Sequence, residues 1–335
     1  MKDLQDFYKN KKVLITGGGG FIGSNLAINL VNLGAKVSIM DSKLKPYGYN
    51  EFNLDPIKGK YNFDSSDIRD KEAVLRNVKN KDIIFNLAAQ VGEGTSEKDP
   101  FLDFDINIKG HINVLESLKE MNPSAKIVFA GSRLQYGKTE GSEPIKENHS
   151  MNPVTPYAKN KMLGEMIYKY FHDYGGLDTV SLRIANPFGE RAAINNPGYC
   201  VVNWFIGRAI LGKSIPIYGE GTQIRDYIYI DDIVNAITLV GASKNSKGKF
   251  YNVGSGIGTK FKDMAQTISD LSGSKKSLLE FIEWPPNAKN RETGNFTADI
   301  TKIKNELGWE PKWSLEEGLK KTMNYYKKNG VHYTF

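Results

Sequence analysis

Four consecutive glycines, Gly17–Gly20, stand between KVLITG (12–17), a run with strand character, and a stretch whose Ile22, Leu26, Leu30 and Leu33 fall on one helical stripe closed by Gly34. A strand that turns through glycines directly into a helix marks a tight bend to which another group comes close. The helix N-terminus then presents unpaired N–H groups, a site suited to a pyrophosphate. The run satisfies two spacings at once, Gly18-x-Gly20-x-x-Gly23 and Gly17-x-x-Gly20-x-x-Gly23. Asp41 closes the following strand, KVSIMD (36–41), 18 residues beyond Gly23. A carboxylate there reaches the adenosine ribose hydroxyls and repels a 2′-phosphate, so the expected dinucleotide is NAD and not NADP. After a third strand, Asp67 and Ile68 are candidates to flank the adenine.

The alternation continues. DIIFNLAA (82–89), KIVFAGS (126–132) and TVSLRIA (179–185) read as strands, with Phe104, Ile108, Ile112 and Leu115 marking a long helix. Leu163, Ile167, Tyr170 and Tyr174 mark another helix after Pro156. Strands alternating with helices imply βαβ units, hence a parallel sheet covered on both faces. Past Asn186 the pattern is broken by Pro187, Pro197, Gly198, Gly212, Pro216, Gly219 and Gly221. The expected architecture is α/β: a Rossmann-type, doubly wound parallel sheet with a smaller C-terminal substrate-binding lobe. The expected division is 1–185 for the dinucleotide, with a return segment at about 228–256, and 186–335 mainly for substrate.

At 335 residues, 40% hydrophobic and 25% charged, the chain can bury a sizeable core. The net charge of +7 comes from lysines scattered beside acids, as in SLEEGLKK, with no Arg-rich arm or basic–aromatic stripe. No nucleic-acid partner is expected. No apolar run reaches the length of a membrane span and the N-terminal stretch is polar, so neither a membrane nor export is expected. The single cysteine, Cys200, fits a reducing, cytoplasmic setting, and four dispersed histidines offer no metal-ligand spacing. No metal is expected.

Tyr157 and Lys161 lie one helical turn apart in TPYAKNK, and Ser132 closes a strand at the sheet edge where open parallel sheets gather ligands. Tyr8 and Lys12 repeat the Tyr-x-x-x-Lys spacing but precede the first strand, too early to face that edge. Oxidising an alcohol needs a base for the hydroxyl proton. Tyrosine, with a pKa of about 10, is mostly protonated at neutrality. An ammonium about 4 Å away is worth roughly 4 kcal/mol at an effective dielectric of about 20, or about three pKa units. Ser132 can hold the substrate hydroxyl and relay its proton to Tyr157.

Taken together, Gly17-x-x-Gly20-x-x-Gly23, Asp41, NLAA (86–89), Ser132, Tyr157 and Lys161 resemble the extended short-chain dehydrogenase/reductases. SLRIANPFG (181–189), GEGTQIRDYIYIDDI (219–233) and LGWEPKWSLEEGL (307–319) point to the branch acting on nucleotide sugars. The likeness runs from Lys12 to about Tyr326. It implies a cofactor set of Gly17, Gly20, Phe21, Ile22, Gly23, Asp41, Asp67, Ile68, Leu87, Ala88, Ala89, Tyr157 and Lys161. Dehydratases of this kind follow the catalytic hydroxyl with Asp-Glu, and decarboxylases usually keep the Glu; here Arg133 and Leu134 follow Ser132. The resemblance therefore implies a C4 epimerase similar to UDP-glucose 4-epimerase, acting through a transient 4-keto sugar. A 2-epimerase, a decarboxylase and a 4-keto reductase are alternatives. It further implies a UDP-sugar held by Ser132, Asn186, the Val202 backbone, Ile217, Tyr218, Arg225 and Arg291. Phe296 is implied to fill the space beside the sugar's C2 and disfavour an N-acetyl group. The apolar faces of the helices near 103–120 and 156–174 exceed what one sheet buries, which implies a homodimer joined by a four-helix bundle.

Overall fold

The computed structural model describes residues 2–44, 48–139, 143–274 and 276–333. Its centre is a seven-stranded sheet of β1 (Lys12–Thr16), β2 (Lys36–Met40), β3 (Tyr61–Asp64), β4 (Ile83–Asn86), β5 (Lys126–Ser132), β6 (Asp178–Ile184) and a late strand, Phe250–Val253. Every pairing is parallel: Val13 of β1 stands opposite Val37 of β2 on one side and Ile83 of β4 on the other. The chain runs outward from β1 to β3, then returns to build β4, β5 and β6 on the other side of β1. The order therefore reverses between β1 and β4, and the carboxyl ends of these strands open a crevice there.

Apolar runs with both faces covered are what a central parallel strand requires. β1 shows it directly. Val13 and Ile15 belong to one core with Leu26 and Leu30 of the first long helix (Phe21–Asn32), while Leu14 belongs to a second core with Ile84, Ile127 and Phe129. The late strand lies beside β6 and is preceded by a helix, Ile230–Ala242, that packs on the first long helix. The residues between and after form smaller sheets. β7 (Asn186–Phe188), β9 (Ile224–Tyr229) and β11 (Gly258–Lys260) make one; β8 (Ile215–Tyr218) and β12 (Leu279–Ile282) make another, with the late strand counted as β10. No helix among the described residues is long and apolar enough to cross a membrane.

Two helices differ from their sequence reading. The long helix marked by Phe104, Ile108, Ile112 and Leu115 starts earlier, where Asp99 caps Pro100, and its Asp105–Gly110 segment is a π-turn. Gly110 lets Ile68 sit against this segment, since a Cβ there would lie 2.7 Å from the Ile68 side chain. In the helix Pro156–Asp173, the residues that meet the sheet are Ala158, Lys161, Gly164, Glu165, Tyr168 and Phe171. The Leu163, Tyr170 and Tyr174 stripe faces outward, with Tyr170 59% and Tyr174 80% exposed. Helical periodicity located the element; which of its two apolar faces meets the sheet is decided by the small residues, because Gly164 admits the Phe129 ring.

One buried ion pair ties this helix to the sheet. Arg183 on β6 donates to Glu165 through Nε (2.9 Å) and Nη2 (2.5 Å), and through Nη1 to the Tyr136 hydroxyl and the Glu147 carbonyl. Gln135 bridges Glu165 to the backbone N–H of Ser132. Removing one partner of a buried pair strands the other charge, at a cost of about 3–5 kcal/mol. Glu165→Ala is expected to lose that much in urea unfolding, and Glu165→Gln clearly less. Equal losses in the two variants would show that the charge is not what matters.

Candidate active site

The glycines of both spacings lie in one tight turn. Gly17 has φ +67°, and a Cβ on it would lie 2.9 Å from the Ala88 backbone. A Cβ on Gly23 would lie 2.2 Å from the Gly17 carbonyl. Gly20 opens the helix with no side-chain cap, leaving its first amides facing the crevice. A Cβ on Gly18 would lie 2.7 Å from the Ile39 side chain and one on Gly20 3.4 Å from the Gly17 carbonyl, so space in the turn constrains Gly17, Gly18 and Gly23 more tightly than Gly20. Asp41 accepts the Gly19 N–H (2.9 Å) and the Lys43 N–H (3.0 Å); burial outweighs these bonds and raises its carboxyl pKa. Asp67 is half-buried, yet the Arg69 fork holds its carboxyl below the usual carboxylate range.

Leu87, Ala88 and Ala89 leave β4 at the same edge. Their turn is held by Thr16, which receives the Ala88 N–H and donates to Asn86 (2.5 Å), and by His111, whose ring Nε2 meets the Ala88 carbonyl. Asn86 in turn donates to the Tyr168 hydroxyl (2.6 Å). All of these residues line or support a single cavity of about 540 Å3 that runs from Asp41 past Ser132, Tyr157 and Lys161 to Arg291.

Thr155 caps and Pro156 opens the helix that carries Tyr157, so the tyrosine sits on its first turn. Its phenol stands beside Ser132, whose oxygen accepts the Leu134 N–H. Lys161 donates to the Ala130 carbonyl (2.9 Å), and its ammonium lies 5.9 Å from the Tyr157 ring centre. The expected lowering of the tyrosine is not what this environment produces. Burial, then the carboxylates of Asp103 and Glu93, push the Tyr157 phenol up, and burial brings Lys161 down to about 8. The reason is that the low-dielectric setting which strengthens an ammonium's pull also penalises the phenolate itself.

The remaining candidates divide. Asn186 and Tyr218 line the cavity, and the Asn186 Oδ1 is buried without a partner. Arg225 and Arg291 line it too, each already paired: Arg225 with Glu292 through two bonds (2.6 and 2.8 Å), Arg291 with Glu97 (2.8 Å). Three expectations are corrected. Val202 points into the core and its N–H is turned to the Cys200 sulfur, while Val201 lines the cavity. Ile217 is fully buried on β8, the inward partner of the outward Tyr218. Phe296 is 3% exposed, tilted on Tyr136 with the Arg133 guanidinium over its ring, so it is a core aromatic and not a gate in the cavity wall. Glu93, Tyr227, Trp284, Glu292 and Thr293 also line the cavity. Tyr227 falls within GEGTQIRDYIYIDDI; no motif marked the other four, because their places depend on which loops converge.

A family model described as GDP-mannose 4,6 dehydratase matches residues 14–322. A protein of Methanocaldococcus jannaschii named putative UDP-glucose 4-epimerase is 31% identical over 318 residues, covering 95% of this chain and 99% of its own. The UDP-glucose 4-epimerase of Thermotoga maritima, solved with UDP-glucose, superposes with a TM-score of 0.87 at 31% identity, covering 95% of this chain and 99% of that one. That of Thermus thermophilus, solved with NAD, gives 0.84 at 28% identity, with the same coverage of 95% and 99%.

His111 supplies a test of the cofactor-side network. Its imidazole is fully buried; burial, then Lys161, push it from 6.5 down to about 3. The folded state therefore holds it neutral, while the unfolded chain takes up a proton below about pH 6.5. Its contribution is complete above that pH and is lost as pH falls toward 3, at about 1.4 kcal/mol per pH unit. Urea unfolding between about pH 7 and pH 5 is expected to show a flatter pH dependence in His111→Gln than in the wild type. Parallel slopes would mean that His111 is protonated in the fold.

Proposed function

The chain belongs to the GDP-mannose 4,6-dehydratase family of extended short-chain dehydrogenase/reductases, and on that footing we propose that it is an NAD-dependent epimerase inverting C4 of a nucleoside-diphosphate sugar. The observation that carries the reading is the convergence of Ser132, Tyr157 and Lys161 in the same cavity as the glycine cradle, with no carboxyl following Ser132. Dehydration needs an acid and a base for the departing water beside the redox pair; C4 inversion needs one proton acceptor.

The cofactor reading rests on the cradle. A side chain at Gly17 or Gly23 would fill it, and Gly20 leaves the helix amides open to a pyrophosphate. Asp41 holds the ribose hydroxyls, Asp67 and Ile68 flank the adenine, and Leu87 to Ala89 form the opposite wall with Phe21 and Ile22. Residues 1–185 and 228–256 serve this half, and the rest of 186–335 serves the sugar nucleotide. When bound, the nicotinamide supplies the hydride acceptor and donor and, oxidised, a positive charge. Tyr157 takes the O4 proton with Ser132 holding that oxygen, and returns it after the 4-keto sugar has turned over. Asn186 and Tyr218 face the sugar nucleotide, and Arg225 and Arg291 share their carboxylate-paired forks with its diphosphate.

Incubation with UDP-, CDP-, GDP- and dTDP-hexoses, followed by NMR, is expected to show inversion at C4. Tyr157→Phe is expected to lower kcat by about a hundredfold to ten-thousandfold while NAD stays bound, the range for general acid–base catalysis. Near-normal turnover in that variant overturns the mechanism.

The outward stripe supports a homodimer, and the single cysteine, Cys200, fits a cytoplasmic setting. Phe101 (82% exposed), on the helix that begins at Pro100, and Met166, Tyr170 and Tyr174, on and at the end of the catalytic helix, leave apolar side chains facing outward. Joined about a two-fold axis, these helices make a four-helix bundle. Light scattering is expected to give twice the 37.5 kDa chain mass, and Met166→Glu with Tyr170→Glu to give monomer. A monomeric wild type refutes the assembly.

A further inference from the structure

Three arginines line the cavity, and they are not alike. Arg225 is held by Glu292 and Arg291 by Glu97. Arg133 has no ion-pair partner among the described residues. Its Nη1 donates to the Thr293 hydroxyl (3.2 Å) and its guanidinium lies 5.5 Å from the centre of the Phe296 ring. The rest of its fork is uncommitted. Burial, then the neighbouring Arg225, bring its pKa down to about 10 against the pull of Glu93 and Glu292, so the charge persists at neutrality without being neutralised locally. A buried charge in that state is costly unless a ligand completes it.

Its place says which part of a ligand that is. Arg133 directly follows Ser132 and opens a short helical turn, Arg133–Tyr136, locked by a reciprocal cap between Ser132 and Gln135. The turn holds the serine beside Tyr157 and the arginine against Thr293, on the wall of the same cavity. In a hexose the carbon next to C4 bears C6. Glu93, another carboxylate on the cavity wall, accepts a bond from Thr155, and burial raises its carboxyl pKa.

We propose that the sugar subsite is built for an acidic sugar, a nucleotide-linked hexuronate whose C6 carboxylate is received by the Arg133 fork beside the Thr293 hydroxyl. This rests on the C4-epimerase reading and narrows its substrate class. It also gives the two other arginines a different part: with Glu292 and Glu97 moderating them, they can serve a diphosphate without competing for the carboxylate.

Isothermal titration of the NAD-loaded protein with UDP-glucuronate and with UDP-glucose tests it. The wild type is expected to bind the uronate at least about tenfold more tightly. Arg133→Ala is expected to reduce that ratio by about tenfold to a hundredfold, the worth of one charge-assisted hydrogen-bonded pair, and Arg133→Lys to keep part of it. The ratio is internal, so a variant that merely binds both ligands less well does not imitate the result. A wild type that shows no preference for the uronate or binds neither sugar, or a ratio untouched by Arg133→Ala, overturns the inference. NMR of the same mixtures separates it from the reading beneath it. A ratio that collapses with Arg133 and no inversion at C4 keeps the acidic subsite and removes the epimerase; inversion of UDP-glucose with an unmoved ratio does the reverse.

Discussion

The pairing of Arg183 with Glu165 is the contact on which the catalytic geometry hangs. It joins β6 to the helix Pro156–Asp173, and through Gln135 it reaches the Ser132 backbone. Tyr157 and Ser132 come from segments separated in sequence, yet they stand side by side in the cavity. Hydrophobic packing of the helix alone fixes its rotation and height only loosely; a two-bond guanidinium–carboxylate contact fixes both. Tyr136 extends the same network to Asn252 on β10, so the late strand is tied to the serine turn as well.

Burial acts twice in this site, and in opposite senses. It gives Lys161 and Tyr157 shifts toward their neutral forms, which leaves the phenol protonated until a positive charge joins it. The same desolvation makes the charges at the sugar end specific. Arg225 and Arg291 are each ion-paired with a carboxylate, whereas Arg133 has no ion pair among the described residues and contacts the Thr293 hydroxyl and the Phe296 face, with Glu93 and Glu292 acting on it from further off. A cavity organised this way discriminates among ligands by where their charge lies more than by how large they are.

The cofactor half was legible because its chemistry is local. A strand, a glycine turn and a helix are contiguous, and the requirement that Gly17 and Gly23 carry no side chain is met within a few residues of chain. Tyr157 and Lys161 were legible for the same reason, being one turn apart on one helix. The substrate half was not. Val202, Ile217 and Phe296 are each adjacent to a residue that does line the cavity, or stand behind one, and successive side chains point opposite ways on a strand and about 100° apart on a helix.

Alternation of apolar strands and helices, the glycine turn and the Tyr–Lys spacing therefore determined the sheet, its crevice and the reacting end of the site from sequence alone. Only the tertiary structure decided that Tyr157 is pushed up and not down, because its titration depends on Asp103, Glu93 and the depth of burial, none of which lies beside it in the chain. It likewise decided that Phe296 belongs to the core and Arg133 stands unpaired beside Ser132, since ion pairing is settled by which distant loops bring carboxylates within reach. Backbone turns are dictated by neighbours in sequence; electrostatic environments are made by neighbours in space.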